Sequence, residues 1–178
     1  MRWDARRLVF IDESGAKTNM TRLRGRGRPG QRVCDRAPHG HWHTTTMLGS
    51  LRLDGTTSCM VVEGATTREV FREYVRPVLC PTLRAGDIVI ADNLSPRKDR
   101  ASEALIEARG ARLQFLPPYS PDFNPIENMW SKIKAHLRAA KARSQKKLIT
   151  VIGQALEAIT SQDAEGFYSS CGYTTSHS

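Results

Sequence analysis

Apolar positions along the chain fall into short continuous runs and longer stretches of helical spacing, in an order that predicts a mixed α/β sheet. Residues 7–12 (RLVFID) form an aliphatic and aromatic run bounded by a turn signal at Ser14-Gly15, which predicts the first strand. Residues 44–51 and 58–63 read as two further strands, joined by Asp54-Gly55, a hairpin turn. A helix follows: Thr66 and Glu69 have capping-box spacing, and Val70, Phe71, Tyr74, Val75, Val78 and Leu79 repeat every three to four residues. Residues 87–92 (DIVIAD) form an uninterrupted apolar run, the pattern of a strand buried on both faces of a parallel sheet. The next helix is predicted over 98–109, with Ala101, Ala104, Leu105 and Ala108 inward and Gly110 as its stop. Residues 112–116 predict the fifth strand, ended by Pro117-Pro118, and three helices are predicted from Pro125, over 145–159 and over 161–169. The hairpin makes the early strands antiparallel and the helical crossovers make the later ones parallel. No repeat or linker divides the chain, so residues 1–178 are read as one domain.

Composition narrows the function classes. The 178 residues include 39% hydrophobic and 25% charged positions, close to globular averages, with no apolar stretch long enough to span a bilayer. The four cysteines, Cys34, Cys59, Cys80 and Cys171, lie far apart without a C-x-x-C pair, which suits a reducing cytoplasm rather than a disulfide scaffold. The net charge of +9 is concentrated in two segments: residues 1–36 carry +6, and 131–147 carry +7 with no acid, so the remaining chain is mildly acidic. Such segments suit a polyanion, because each phosphate neutralised releases counterions; solvated basic faces have the same composition.

Three acids occupy positions that bear chemistry. Asp12 and Asp92 each close an apolar run, where ligands gather at the carboxyl ends of parallel strands, and Glu127 lies in the first turn of the helix from Pro125. Convergent carboxylates would suit a hard cation such as Mg²⁺, and two such ions can clamp the attacking and leaving oxygens of a phosphoryl displacement. Each acid also has a structural reading. Asp12 could bond the Ser14 turn, Asp92-Asn93 could be an ordinary turn, and Glu127 could complete a capping box with Asn124 as N-cap and Pro125 at the first helical position. At 100° per residue, Lys134, Arg138 and Lys141 fall on the Glu127 face, apart from the apolar stripe of Ile126, Trp130, Ile133 and Leu137. His39, His41 and His43 would share one face of a strand and could contact DNA or, less readily, Zn²⁺. GRGRPG lacks the ending of a phosphate-binding P-loop, and no full nucleophile-elbow motif supports a serine hydrolase.

FIDESG around Asp12, IADN around Asp92 and LPPYSPDFNPIENMWSKIK around Glu127 resemble the catalytic domain of insertion-sequence transposases of the mariner superfamily, the IS six-thirty type. The 34 residues between Asp92 and Glu127 match the spacing of that bacterial group, and RLRGRGRPGQR, PHGHWHTTT and the closing CGY extend the likeness over nearly the whole chain. The resemblance implies a ribonuclease-H-like fold with sheet order 3-2-1-4-5 and helices on both faces. It implies that Asp12, Asp92 and Glu127 form an acidic triad for two Mg²⁺ or Mn²⁺ ions, hydrolysing DNA at transposon ends and transferring the freed 3′-hydroxyl to target DNA. The partner expected is double-stranded DNA, met by Arg24, Arg26, Arg28, Arg97, Lys134, Arg138 and Lys141, with a homodimer as the active form and a bacterial, nucleoid-associated location. Two departures stand out. Arg97 takes the place of a His usual in relatives, and Arg cannot serve as a neutral base. The amino-terminal helix-turn-helix region of the family is not in this sequence, so end recognition is expected on a separately encoded partner. A catalytically inactive DNA-binding or dimerising fragment is the alternative.

Overall fold

The structure, a computed structural model, describes residues 3–21, 44–93 and 98–175. Five strands, β1 (Leu8–Ala16), β2 (Thr45–Arg52), β3 (Thr57–Glu63), β4 (Ile88–Ala91) and β5 (Arg112–Phe115), form one sheet in the order β3-β2-β1-β4-β5. The first three pair antiparallel, and β1, β4 and β5 run parallel, as the connections require. This is the 3-2-1-4-5 order of the ribonuclease-H-like expectation.

Strand alternation sends the central side chains to two helical layers. Leu8 and Phe10 of β1, with Ile88 and Ile90 of β4, pack beneath α3 (Pro125–Ala140), α4 (Gln145–Glu157) and α5 (Ser161–Ser170), against Trp130, Ile133, Leu137, Leu148, Ile152 and Tyr168. Val9, Ile11, Val89 and Ala91 face the other way, toward α1 (Arg68–Tyr74) and α2 (Arg100–Glu107), where they meet Phe71, Tyr74, Leu79 and Ile106. Continuous apolar runs were needed because both faces are covered. The hairpin turn forms as its residues require: Gly55 takes φ 84°, and Asp54 Oδ1 accepts the Thr56 N–H at 2.9 Å. A Cβ on Gly55 would meet the backbone of Thr160 and Ser161 at 2.8 Å, so the turn also seats the start of α5.

Four local expectations give way to tertiary structure. β1 does not stop at Ser14-Gly15 but pairs on to Ala16, opposite Thr45, because β2 supplies ladder partners that outweigh the turn preference. The α1 cap is Thr67 rather than Thr66, with its hydroxyl accepting from the Val70 N–H at 3.2 Å. Past Tyr74 the chain continues as a π-helical turn, Val75–Leu79, around Pro77, whose missing N–H breaks the α-helical ladder. In α2 the inward residues are Ser102, Leu105 and Ile106, while Ala101, Ala104 and Ala108 are exposed. The rotation is set by the N-cap: Asp99 accepts from the Ser102 N–H and hydroxyl and is gripped by Arg72 of α1 through two bonds of 2.9 and 3.1 Å. That grip holds the Asp99 carboxyl down at a pKa of about 2.

Candidate active site

The site is built where β4 ends. Ile11 of β1 is opposite Ala91 of β4, so Asp12 and Asp92 stand one step beyond, side by side. Asp12 shares the parity of Leu8 and Phe10, and Asp92 that of Ile88 and Ile90, which directs both toward the layer of α3. Asp12 is buried at 6% exposure within β1, whereas Asp92 is half-buried.

The third acid arrives on a loop pinned at both ends. The Leu116 N–H donates to the Ala91 carbonyl at 2.8 Å, so the polypeptide leaves β5 beside Asp92. At the far end the Tyr173 hydroxyl donates to the Phe123 carbonyl at 2.8 Å, while its ring packs on Phe10 and Tyr168. Burial pushes the Tyr173 hydroxyl up to about 12, so it remains a donor throughout the ordinary pH range. Pro117, Pro118, Pro121 and Pro125 restrict the intervening backbone, and Tyr119 is forced to φ 58° with its side chain fully exposed. A non-glycine residue in this region costs about 1–3 kcal/mol, the kind of strain that surrounding structure must impose.

Asp92, Asn93, Asn124 and Glu127 line one open pocket of about 390 Å³ with Leu116 and the proline loop. Asp92 and Glu127 are therefore brought together. Asp12 is next to Asp92 on the sheet but does not line that pocket, and among the described residues no group of three His, Cys, Asp or Glu side chains stands close enough to hold a metal ion.

The capping-box reading of Glu127 fails. Asn124 occupies the N-cap position, yet its side chain makes no bond to the helix start; only its backbone carbonyl accepts the Glu127 N–H, at 3.1 Å. Its Oδ1 is buried and without a hydrogen-bond partner in a residue only 4% exposed. Leaving such an acceptor unpaired costs about 1–3 kcal/mol. The sequence marks Asn124 only as a cap, and a side-chain rotamer of this kind leaves no periodic signal.

The basic run beside the site divides by role. Lys134 and Arg138 lie on α3, half-buried, and among the described residues neither forms an ion pair. Lys132 instead binds Asp163 of α5 at 2.6 Å, which lowers the Asp163 carboxyl to a pKa of about 2. Arg143 donates to the carbonyls of Thr18 and Met20 at 2.9 and 3.1 Å, tying the end of β1 to the layer of α4. Lys141 is not on the helical ridge expected for it: α3 ends at Ala140, and Lys141 turns left-handed at φ 48°. The run Ala139-Ala140-Lys141-Ala142 offers no glycine, so the left-handed position that glycine usually fills at a helix end falls on Lys141. Arg24, Arg26, Arg28, Arg97, Cys34, Trp42 and the histidines 39, 41 and 43 lie outside the described residues. Trp130 is a core residue at 1% exposure, packed over Gly49 so closely that a Cβ there would meet its ring at 2.7 Å. Cys59, Cys80 and Cys171 form no disulfide among the described residues, and no helix of these residues is long and apolar enough to cross a membrane.

The sequence profile of the DDE superfamily endonucleases matches residues 7–149. No curated protein matches the chain. Among solved structures, the fold is similar to the Mos1 transposase paired-end complex with left transposon end (TM-score 0.71, 16% identity, 93% of this chain and 52% of the other). The Mos1 mariner paired end complex with Mn gives a TM-score of 0.69 at 17% identity, again over 93% and 52%. The catalytic core domain of BIV integrase gives 0.54 at 14% identity, over 85% and 81%. The chain thus has a ribonuclease-H-like fold and spans about half the length of the Mos1 chains it resembles.

Proposed function

Since the chain belongs to the DDE superfamily endonucleases, we propose that it acts as the catalytic domain of a transposase, cutting DNA phosphodiesters at transposon ends and joining the freed 3′-hydroxyls to target DNA. The observation that carries this reading is the shared end of β1 and β4. Asp12 and Asp92 follow paired residues of adjacent parallel strands, and Glu127 comes to the Asp92 pocket on a proline-restrained loop. The structures similar in fold include Mos1 complexes with transposon ends and with Mn or Mg, which supports the same substrate and a divalent ion here.

The donors present fit such an ion. Asp92 and Glu127 line one pocket with Asn124, whose buried amide oxygen is unpaired, and Asp12 is adjacent on the sheet; these are oxygen donors of the kind Mg²⁺ or Mn²⁺ takes. Two ions, when bound, would stabilise charge on the attacking and leaving oxygens. In the first step a water oxygen bonds to phosphorus, losing its proton, and the 3′-oxygen leaves as a hydroxyl; in the second that 3′-oxygen bonds to a target phosphorus while the target strand's own 3′-oxygen leaves. No covalent link to the protein is formed. Lys134 and Arg138, on the Glu127 face of α3, would follow the DNA backbone away from the cut, with Arg24, Arg26, Arg28, Arg97 and Lys141 as further contacts. A homodimer completes the proposal.

A second reading keeps the fold and DNA binding without turnover. It is favoured by one observation: among the described residues no three His, Cys, Asp or Glu side chains stand close enough together to hold a metal ion. One assay separates the two: nicking of supercoiled DNA in Mg²⁺ or Mn²⁺ by the wild type and by Asp92→Asn. The first reading expects the variant to lose on the order of 10²–10³-fold in rate, and equal nicking would rule it out.

A further inference from the structure

Four buried side-chain atoms have no hydrogen-bond partner among the described residues: Arg52 Nη1, Thr66 Oγ1, Trp130 Nε1 and Asn124 Oδ1. Asn124 alone lines the pocket shared by Asp92 and Glu127. Its situation is unusual in two independent ways. An asparagine at an N-cap ordinarily accepts from the helix backbone, and here that bond is not made although the backbone carbonyl of the same residue stays in place at the helix start. The side chain also sits at 4% exposure, so bulk water does not replace the lost bond. A buried acceptor kept unpaired beside two carboxylates calls for a ligand that donates hydrogen and carries positive charge. A hydrated divalent cation has both properties, since Mg²⁺ keeps several of its waters when protein carboxylates bind it.

We propose that Asn124 is a positioning residue whose side-chain oxygen accepts a hydrogen bond from a water of a divalent cation bound at Asp92 and Glu127. The inference rests on the metal-dependent reading above and adds to it a neutral amide that orients the hydrated ion without adding charge. Partners of this kind typically change metal affinity by about 10–100-fold. The prolines at 121 and 125 hold the residue in place on either side, so orientation is retained before any ligand arrives.

The test uses the whole chain and Mn²⁺ as probe, with binding followed by calorimetry and unfolding of the metal-free protein followed thermally. Asn124→Ala is expected to weaken Mn²⁺ binding at least tenfold while leaving the metal-free Tm unchanged or raised by a few degrees, because an unpaired buried oxygen has been removed. Asn124→Asp, which keeps an acceptor oxygen, is expected to bind Mn²⁺ at least as tightly as the wild type. Unchanged Mn²⁺ affinity in Asn124→Ala overturns the proposal, whatever its Tm. If Asn124→Ala loses both stability and affinity, failure of Asn124→Asp to restore the affinity overturns it as well. Asp92→Asn is the control that keeps the two readings apart. Loss of Mn²⁺ binding there with none in Asn124→Ala sinks only the role of Asn124, and unchanged binding in Asp92→Asn sinks the metal site itself.

Discussion

The two ends of the β1–β4 pair differ in how they use their acids, although each keeps one buried polar atom unpaired, Arg52 Nη1 at one and Asn124 Oδ1 at the other. At the end where β4 begins, Arg52 and Asp87 are both nearly inaccessible and form an ion pair; Asp87 also accepts the Arg84 N–H at 2.7 Å, and Arg52 donates to the Thr82 carbonyl at 2.9 Å. At the end where β4 stops, Asp92 and Glu127 share an open pocket, Asn124 keeps a buried oxygen unpaired, and Tyr119 is held in a strained conformation. One end uses its charges to hold strands together, and the other keeps the Asn124 oxygen unpaired beside an open pocket. Burial alone does not tell the two ends apart, since Asp87 and Asp12 are both buried.

The comparison can be broken most forcefully at the paired end. Arg52→Ala leaves Asp87 as an uncompensated buried charge and is expected to cost about 3–5 kcal/mol in urea unfolding. A loss below about 1 kcal/mol would mean the pair is not what closes that end. Acid should expose a smaller, related dependence. The Asp99 and Asp163 carboxyls are held at about 2 by Arg72 and Lys132, so their stabilisation is complete above the ordinary Asp value near 3.9 and is lost as pH falls toward 2. Thermal unfolding between pH 5 and 2 should show that decline. It should be reduced in Arg72→Ala, which removes the cause at Asp99; an unchanged profile would discount the grip.

At the open end, stability should change little and binding should change instead. Lys134→Ala with Arg138→Ala should weaken DNA binding across sequences and reduce the salt slope by about 2, with stability altered by less than about 0.5 kcal/mol. An unchanged slope removes α3 from the DNA path. The smallest effect is expected from Tyr119→Gly, which relieves the left-handed strain and should raise stability by about 0.5–1 kcal/mol in the same unfolding assay. A loss instead would show that the tyrosine ring is part of the folded structure despite its exposure.

How far the sequence could be read follows the same division. The sheet order, the hairpin at Asp54-Gly55 and the layers on both faces were legible because runs such as RLVFID and DIVIAD leave no polar side to expose. The α2 face was misread because its alanines carry little hydrophobic signal, and Asp99, fixed by Arg72 from another helix, sets the rotation. The continuation of β1 past Gly15 depends on β2, a partner thirty residues away in the chain. That Asp92 and Glu127 line one pocket could be anticipated from strand ends and spacing. The fate of Asn124 could not, because the same residue that would cap a helix can equally turn away from it. Lys141 was placed by extending a helix one residue beyond its end, where the 100° rule no longer holds. The arginines at 24, 26, 28 and 97 lie outside the described residues, so they remain part of the proposal.

The central claim is that Asp12, Asp92 and Glu127 act as one unit on a DNA phosphodiester. The direct measurement is the rate of Mn²⁺-dependent plasmid nicking by Asp12→Asn, Asp92→Asn and Glu127→Gln, each first verified as folded by its thermal transition. All three should fall by on the order of 10² or more, with the double variants no worse than the worst single one, as expected of groups that serve one step. Nicking at the wild-type rate by any one of the three would contradict the account.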